Sequence, residues 1–270
     1  INLMKGRKNV HVSVLASGSK GNSIFVEINN TRLLIDAGIS ARRISKSLLG
    51  IGVDINNIDG IIITHEHRDH INGLPTLCKK YNIPIYSRAA TFKAMYCLEK
   101  LSMECLHPIK DNFQIGSLSI DAFNTSHDAA DPVGYSVHGK QQKCTVATDL
   151  GFVTSTVQEA IDESDVLILE ANHDQKMLRE GNYPWSLKQR IMSNRGHLSN
   201  SDAAWALVRM KKHNPYVFLA HMSEENNCPA VAKQTITQII KQQGINPGED
   251  MTLQFAKQNE TVTLPANKFI

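Results

Sequence analysis

Four potential metal ligands crowd into six residues of this chain: His65, His67, Asp69 and His70, within Thr64-His65-Glu66-His67-Arg68-Asp69-His70. The cluster follows directly on the apolar stretch 60–63. A continuous strand would send alternate side chains to opposite faces, and a continuous helix would wind them around its axis. A buried strand that ends in a tight loop turns them inward together. The sequence therefore predicts a sheet edge that carries a metal-binding loop. One lone histidine there would read as part of a solvated, charged loop; four such residues after a buried strand do not. Neutral imidazoles beside a carboxylate suit Zn²⁺, Mn²⁺ or Fe, whereas an all-oxygen shell would suit Mg²⁺ or Ca²⁺.

The rest of the chain predicts the sheets. Apolar, β-branched runs read as strands at 10–15, 23–28, 31–35, 60–64, 83–86, 118–123, 133–137, 143–148, 166–169, 217–221 and 252–255. Gly134 inside one of them predicts a bend or a close backbone approach. Apolar residues three to four apart predict helices over 42–49, 88–101, 154–163, 201–213 and 230–243. Ser201 is the predicted N-cap of the fourth, which carries Trp205 and Val208. Early strands succeed one another through short turns, while later ones alternate with helices. That mixture implies an α/β (α+β) chain folded as an αββα sandwich rather than a doubly wound parallel sheet. No repeat, low-complexity tract or Pro/Ser-rich linker divides residues 1–270, which read as a single domain around one sizeable core.

Composition narrows the setting. No run of about 18 apolar residues suggests a membrane span. The start, residues 1–10, is polar and basic, begins without Met and lacks an apolar core of signal-peptide length. The five cysteines, Cys78, Cys97, Cys105, Cys144 and Cys228, are scattered and odd in number. They argue against a disulfide framework and a cysteine-based zinc site, and for a reducing cytoplasm. A net charge of +3 permits a polyanionic substrate without demanding one.

Further polar residues stand at predicted strand ends. They are Asp36 after 31–35, His127 after 118–123, Asp149 after 143–148, and His221 ending 217–221. Each taken alone would be a structural turn residue. Together with H-x-H-x-D-H they resemble the metallo-β-lactamase superfamily, over nearly the whole chain and in the superfamily's order. That resemblance implies two divalent metals, Zn or Mn with Fe as a further option. His65, His67 and His127 would hold one metal, Asp69, His70 and His221 the other, with Asp149 touching both and Asp36 supporting the loop. Asp69 would also take part in catalysis. Glu66 and Arg68 occupy variable positions of the motif, and His11, His107, His138 and His213 have no comparable setting.

The segment around Glu170, and Arg195-Gly196-His197-Leu198-Ser199-Asn200, resemble elements of the ribonuclease Z family. There a histidine supported by a glutamate protonates the departing oxygen. The resemblance makes His197 a candidate acid and Glu170 its partner, with His173 a lesser candidate; the competing reading has Glu170 capping a turn and His197 entering a helix. Between them, 174–196 carries Lys188, Arg190 and Arg195 interleaved with Tyr183 and Trp185. These residues suit phosphates and stacked bases. An amphipathic helix packing Trp185 inward explains them equally well.

In wording, the loop Gly18-Ser19-Lys20-Gly21-Asn22-Ser23, the histidine loop, 169–174 and 183–200 are similar to the YycJ/WalJ family of bacterial exonucleases. That family implies 5′-to-3′ DNA cleavage and a link to DNA repair, with DNA as partner and RNA as the alternative. The glycine loop lacks the phosphate-loop pattern and reads as a turn beside the metal site. A β-CASP insert does not fit between Asp149 and His221, and no long ribonuclease Z arm is evident. Flavodi-iron proteins place a glutamate where His67 stands, and lactamase activity has no positive support. The alternatives are a small-molecule hydrolase of the glyoxalase-II or lactonase kind, and a non-catalytic metal-containing nucleic-acid-binding module.

Overall fold

The computed structural model describes residues 10–266; the polar start, residues 1–9, lies outside them. Two seven-stranded sheets stack face to face. The first contains β1 (Val10–Ala16), β2 (Ser23–Ile28), β3 (Thr31–Ile35), β4 (Gly60–Ile62), β5 (Ile85–Ser87) and β6 (Leu106–Pro108). The second runs through β7 (Asn112–Ile115), β8 (Leu118–Asn124), β9 (Val133–His138), β10 (Lys143–Ala147), β11 (Val166–Glu170), β12 (Tyr216–Ala220) and β13 (Thr252–Phe255). The chain then returns to the first sheet as β14 (Val262–Thr263), beside β1. Each sheet is antiparallel on one side and parallel on the other. In the first, β1 to β3 pair antiparallel and β3 to β6 parallel. In the second, β7 to β10 pair antiparallel and β10 to β13 parallel.

The period of two along a strand assigns the layers. Leu33, Ile35 and Ile62 face inward onto Ile168, Phe218 and Val146 in the core between the sheets. Their neighbours Leu34, Ile61 and Ile63 face outward. There they meet α1 (Ala41–Gly50) and, beyond the short α2 (Arg68–Ile71), α3 (Leu74–Tyr81) and α4 (Ala89–Ala94), through Ile44, Leu77 and Phe92. On the other side Leu167, Leu169, Val217 and Leu219 face outward onto a second helical layer. That layer includes α5 (Ser155–Asp162), then, after α6 (Gln175–Glu180) and α7 (Trp185–Ile191), α8 (Asn200–Val208) and α9 (Pro229–Gln242). Parallel strands buried on both faces explain the continuous apolar runs of the sequence. The order of layers is helix, sheet, sheet, helix, as the sequence predicted.

Several local readings change. Ser199, not Ser201, caps α8, its hydroxyl accepting from the Asp202 amide. That helix stops at Val208 instead of 213, because the chain turns so that the Lys212 amide reaches the Asp162 carbonyl and Lys211 pairs with the Asp162 carboxylate. The helix predicted over 88–101 is α4 alone followed by a 3₁₀ turn, Leu98–Lys100; burial of Met95 and Cys97 against the first sheet overrides local helical preference. Gly134 lies against the Phe123 ring and the Val146 carbonyl, where a Cβ would come within 2.4 Å and 2.7 Å. All five cysteines are unpaired. Among the described residues no helix is long and apolar enough to cross a membrane.

Candidate metal centre

Parallel pairing sets the first half of the site. Ile35 of β3 pairs with Ile62 of β4, so both strands end at one edge, with Asp36 beside the start of the histidine loop. Asp36 sits at φ 61° and accepts from the Thr64 amide at 2.9 Å and from His70 Nδ1 at 2.8 Å. The glycine loop holds the other side. The Asn22 amide donates to the Asp69 carbonyl at 2.8 Å, and its side-chain amide lies 3.3 Å from the Asp69 carboxylate and 3.2 Å from His70 Nε2. Gly38 permits this approach: a Cβ there would stand 1.6 Å from the Asp69 carbonyl oxygen. So clamped, His65 and His67 lie with ring centroids 4.6 Å apart, and each is 5.1 Å from His127. His127 comes from the loop after β8, its Nδ1 facing the Gly196 carbonyl at 3.1 Å.

The second half comes from strand ends of the other sheet. Register aligns Ala147 of β10 with Leu169 of β11, and Glu170 with Ala220 of β12. Asp149, Glu170 and His221 therefore leave the sheet at one edge. Asp149 and His221 hold φ of 58° and 53°, conformations that cost about 1–3 kcal/mol for residues with a side chain. Surrounding hydrogen bonds offset that cost. Ser17 accepts from the His221 amide at 2.7 Å, and Asn172 donates to the His221 carbonyl at 2.8 Å. Glu170 is fully buried, one oxygen accepting from the Leu150 and Leu198 amides. Its other oxygen lies 2.8 Å from both His197 Nδ1 and His221 Nδ1.

The two halves meet at Asp149, whose carboxylate lies 3.4 Å from His70 Nε2, 3.7 Å from His127 Nε2 and 3.6 Å from His221 Nδ1. Donor atoms gather into overlapping groups within 4.8 Å: His65, His67 and His127; His65, His70 and Asp149; Asp69, His70 and His221; and Asp149, Glu170, His197 and His221. The electrostatics call for cations. Burial opposes a charge on His70 and His221, yet the carboxylates of Asp36, Asp69 and Asp149 hold His70 well above its ordinary range, and Asp149, Asp69 and Glu170 do the same for His221. Burial also opposes ionisation of Asp149, but the imidazoles of His221, His70 and His65 keep it well below the carboxylate range. Glu170, against the same opposition from burial, is lowered to about 2 by His197 and His221. His65 goes the other way, held well below its ordinary value by burial and by His70, and so presents a neutral imidazole. His221 Nε2 and Asp149 Oδ2 are buried with no hydrogen-bond partner. Buried imidazole and carboxylate donors converging on orphaned polar atoms fit divalent metal ions.

The remaining sequence candidates separate. Lys188 is buried and its ammonium donates to the Arg179 carbonyl at 2.8 Å, tying α7 to the end of α6; the expected phosphate contact is not available to it. Arg190 pairs with Asp128, and Arg195 is exposed. Trp185 is 62% exposed, so α7 does not pack it inward. His173 is buried, lowered to about 4 chiefly by that burial, and stands outside the donor groups. His11 packs on Phe25, His107 stacks on Tyr86, and His138 pairs with Asp121. Sequence reasoning missed Ser17, Asn22 and Asn172 as supports. The glycine loop was the available signal for the first two, while nothing local marks Asn172.

Residues 31–222 match the beta-lactamase superfamily domain, and fold and site together define a member of that superfamily. Exodeoxyribonuclease YycJ of Bacillus anthracis is 37% identical over 244 residues, covering 89% of this chain and 92% of the relative. Exodeoxyribonuclease WalJ of Streptococcus pneumoniae is 36% identical over 244 residues, covering 88% and 91%. The crystal structure of the metallo-beta-lactamase fold protein YhfI from Bacillus subtilis superposes with a TM-score of 0.71 at 14% identity, covering 94% of this chain and 99% of that one. Within the superfamily, the chain belongs to the family of these YycJ and WalJ proteins.

Proposed function

We infer that the protein is a metal-dependent nuclease that removes nucleotides from DNA, working from a 5′ end, with a part in DNA repair on the same resemblance. The observation that carries this reading is the Glu170–His197 pair at the rim of the metal centre. His197 Nδ1 faces Glu170 at 2.8 Å and stands 3.7 Å from Asp149. Its side chain is 20% exposed, where Glu170 is sealed. An acid so held serves a poor leaving group such as a sugar alkoxide. Full-length likeness to two exodeoxyribonucleases supports the substrate class.

His65, His67 and His127 would hold one metal and Asp69, His70 and His221 the other, with Asp149 between them; Zn or Mn suits these donors. A divalent pair supplies an activated water and steadies the attacking and leaving oxygens of a displacement. The chain's own part is positional and acid–base. Asp69 belongs to the donor group of His70 and His221, and Glu170 fixes the His197 ring so that Nε2 delivers the proton. Arg195, and Arg190 once released from Asp128, meet backbone phosphates.

The test offers end-labelled single- and double-stranded DNA and RNA to purified protein with Mn²⁺ or Zn²⁺. Terminal mononucleotides from 5′-labelled DNA are the expected product. Internal fragments would make the enzyme an endonuclease, and preferential loss of RNA would make it a ribonuclease.

A further inference from the structure

Beside the metal centre lies a cavity of about 490 Å³, within the range of about 300–1,000 Å³ typical of small-molecule sites. Three loops enclose it and are stitched to one another. The Gly151 amide donates to the Ser126 carbonyl at 2.7 Å, and the Ser126 hydroxyl donates to the Asn194 carbonyl. His127, a donor of the metal centre, lines the cavity on one side, so the two spaces share a wall. Elsewhere the lining offers Phe152, Arg195, Asp131 and Thr125, while the Thr154 hydroxyl caps α5.

Two of these side chains have no evident structural duty. Phe152 is 43% exposed although it follows directly on Leu150 and Gly151, which are tucked against the site. Arg195 is exposed as well, and among the described residues no carboxylate pairs with it, in contrast to Arg190, which Asp128 holds. An aromatic face and a free guanidinium on one cavity match the two parts of a nucleotide, a base that stacks and a phosphate that accepts. Asp131 and the Thr125 hydroxyl add acceptors for the exocyclic amines of a base.

We propose that this cavity seats one nucleotide next to the cleaved phosphodiester, its base on Phe152 and its phosphate on Arg195. The assignment rests on the nuclease reading for the identity of the ligand. It explains why the chain keeps an aromatic residue in water at this point, and it ties the nucleotide to the metal centre through the shared His127 wall.

Calorimetric titration of the metal-loaded protein with dAMP, deoxyadenosine and deoxyribose 5-phosphate tests it. Phe152→Ala should weaken dAMP about tenfold or more and leave deoxyribose 5-phosphate unchanged, as loss of one stacking contact demands. Arg195→Ala should weaken dAMP and deoxyribose 5-phosphate about tenfold and spare deoxyadenosine. Phe152→Trp and Arg195→Lys should restore much of the affinity, which a merely structural role would not require. Affinity for dAMP that neither alanine changes overturns the assignment, the phosphate then being taken by the metals alone. Oligonucleotide cleavage is measured in parallel. Cleavage with unaltered dAMP binding in the variants sinks the cavity alone; cavity-dependent dAMP binding without cleavage sinks the nuclease reading alone.

Discussion

The two halves of the metal centre are built in opposite ways. The first sheet delivers His65, His67, Asp69 and His70 from one loop and the short helix α2 that continues it, clamped by Asp36 and the glycine loop. The second delivers Asp149, Glu170 and His221 from three strand ends, which reach one edge only because β10, β11 and β12 pair in parallel and in that register. A contiguous loop carries its geometry in its own sequence. A set of strand ends carries it in the sheet, so each residue depends on partners tens of residues away. The strain divides similarly: in the first half it falls on Asp36, a support, whereas in the second it falls on Asp149 and His221, donors of the site themselves.

The largest expected effect comes from removing the residue at which the halves join. Asp149→Ala should lower occupancy of both metals and abolish hydrolysis, since the Asp149 carboxylate lies within 3.7 Å of imidazoles from each half. Metal analysis of the purified variant, paired with turnover, decides it. Full occupancy with unchanged turnover would remove Asp149 from the site and leave the halves independent.

The same contrast explains what was legible in the sequence. H-x-H-x-D-H after an apolar run is a local pattern, and the structure gathers its side chains as the spacing predicted. Continuous apolar, β-branched runs predicted the long strands, because the parallel strands are buried on both faces. β6, β7 and β14 are edge strands of two to four residues; β6 and β14 have no buried position, and β7, though Phe113 and Ile115 alternate with polar residues, is too short for its period to stand out. Ser17, bonded to the His221 amide across 204 positions, and Asn172 are ordinary polar residues until the register is known. Glu170 was read as the partner of His197 alone; that it also faces His221 follows only from the pairing of β11 with β12.

His197→Ala should have the next largest effect. Cleavage of an ordinary phosphodiester should slow roughly 10²–10⁴-fold with metal content retained. A nitrophenyl phosphodiester, whose leaving group needs little protonation, should lose far less. Equal losses on both substrates would rule out the acid role. Loss of metal would place His197 among the ligands and enlarge the strand-end half of the centre.

Supports rank below donors, and here the halves can be set against each other. Asp36→Asn should weaken metal affinity about 10–100-fold through His70, as loss of a carboxylate behind a ligand imidazole does, with little change in the preference for activated substrates. Glu170→Gln should weaken metal binding by a similar factor through His221, and should in addition reproduce a milder form of the His197→Ala pattern. Competition with a chelator gives the affinities, and the ratio of rates on ordinary and activated diesters gives the rest. If Glu170→Gln spared metal affinity altogether, the strand-end half would owe its His221 geometry to Ser17 and Asn172 instead.

The smallest effect concerns charge rather than metal, in the segment that joins β11 to the His197 loop. Lys188, Arg190 and Arg195 look equivalent in sequence, as three cations within eight residues. Folding makes them different: Lys188 is committed to the Arg179 carbonyl, Arg190 to Asp128, and Arg195 faces the cavity. Counterion release counts only charges that reach a phosphate, each contact contributing a slope of about 0.9 in the logarithm of affinity against that of salt for duplex DNA. In a His197→Ala background, which slows cleavage during measurement, Arg195→Ala should therefore lower the salt slope for DNA by about one unit. Lys188→Met should leave the slope unchanged while lowering the melting temperature, because its ammonium serves the turn between α6 and α7. A drop in slope for Lys188→Met would show that the lysine leaves its buried seat to meet DNA. An unchanged slope for Arg195→Ala would confine the electrostatics of binding to the metal centre itself.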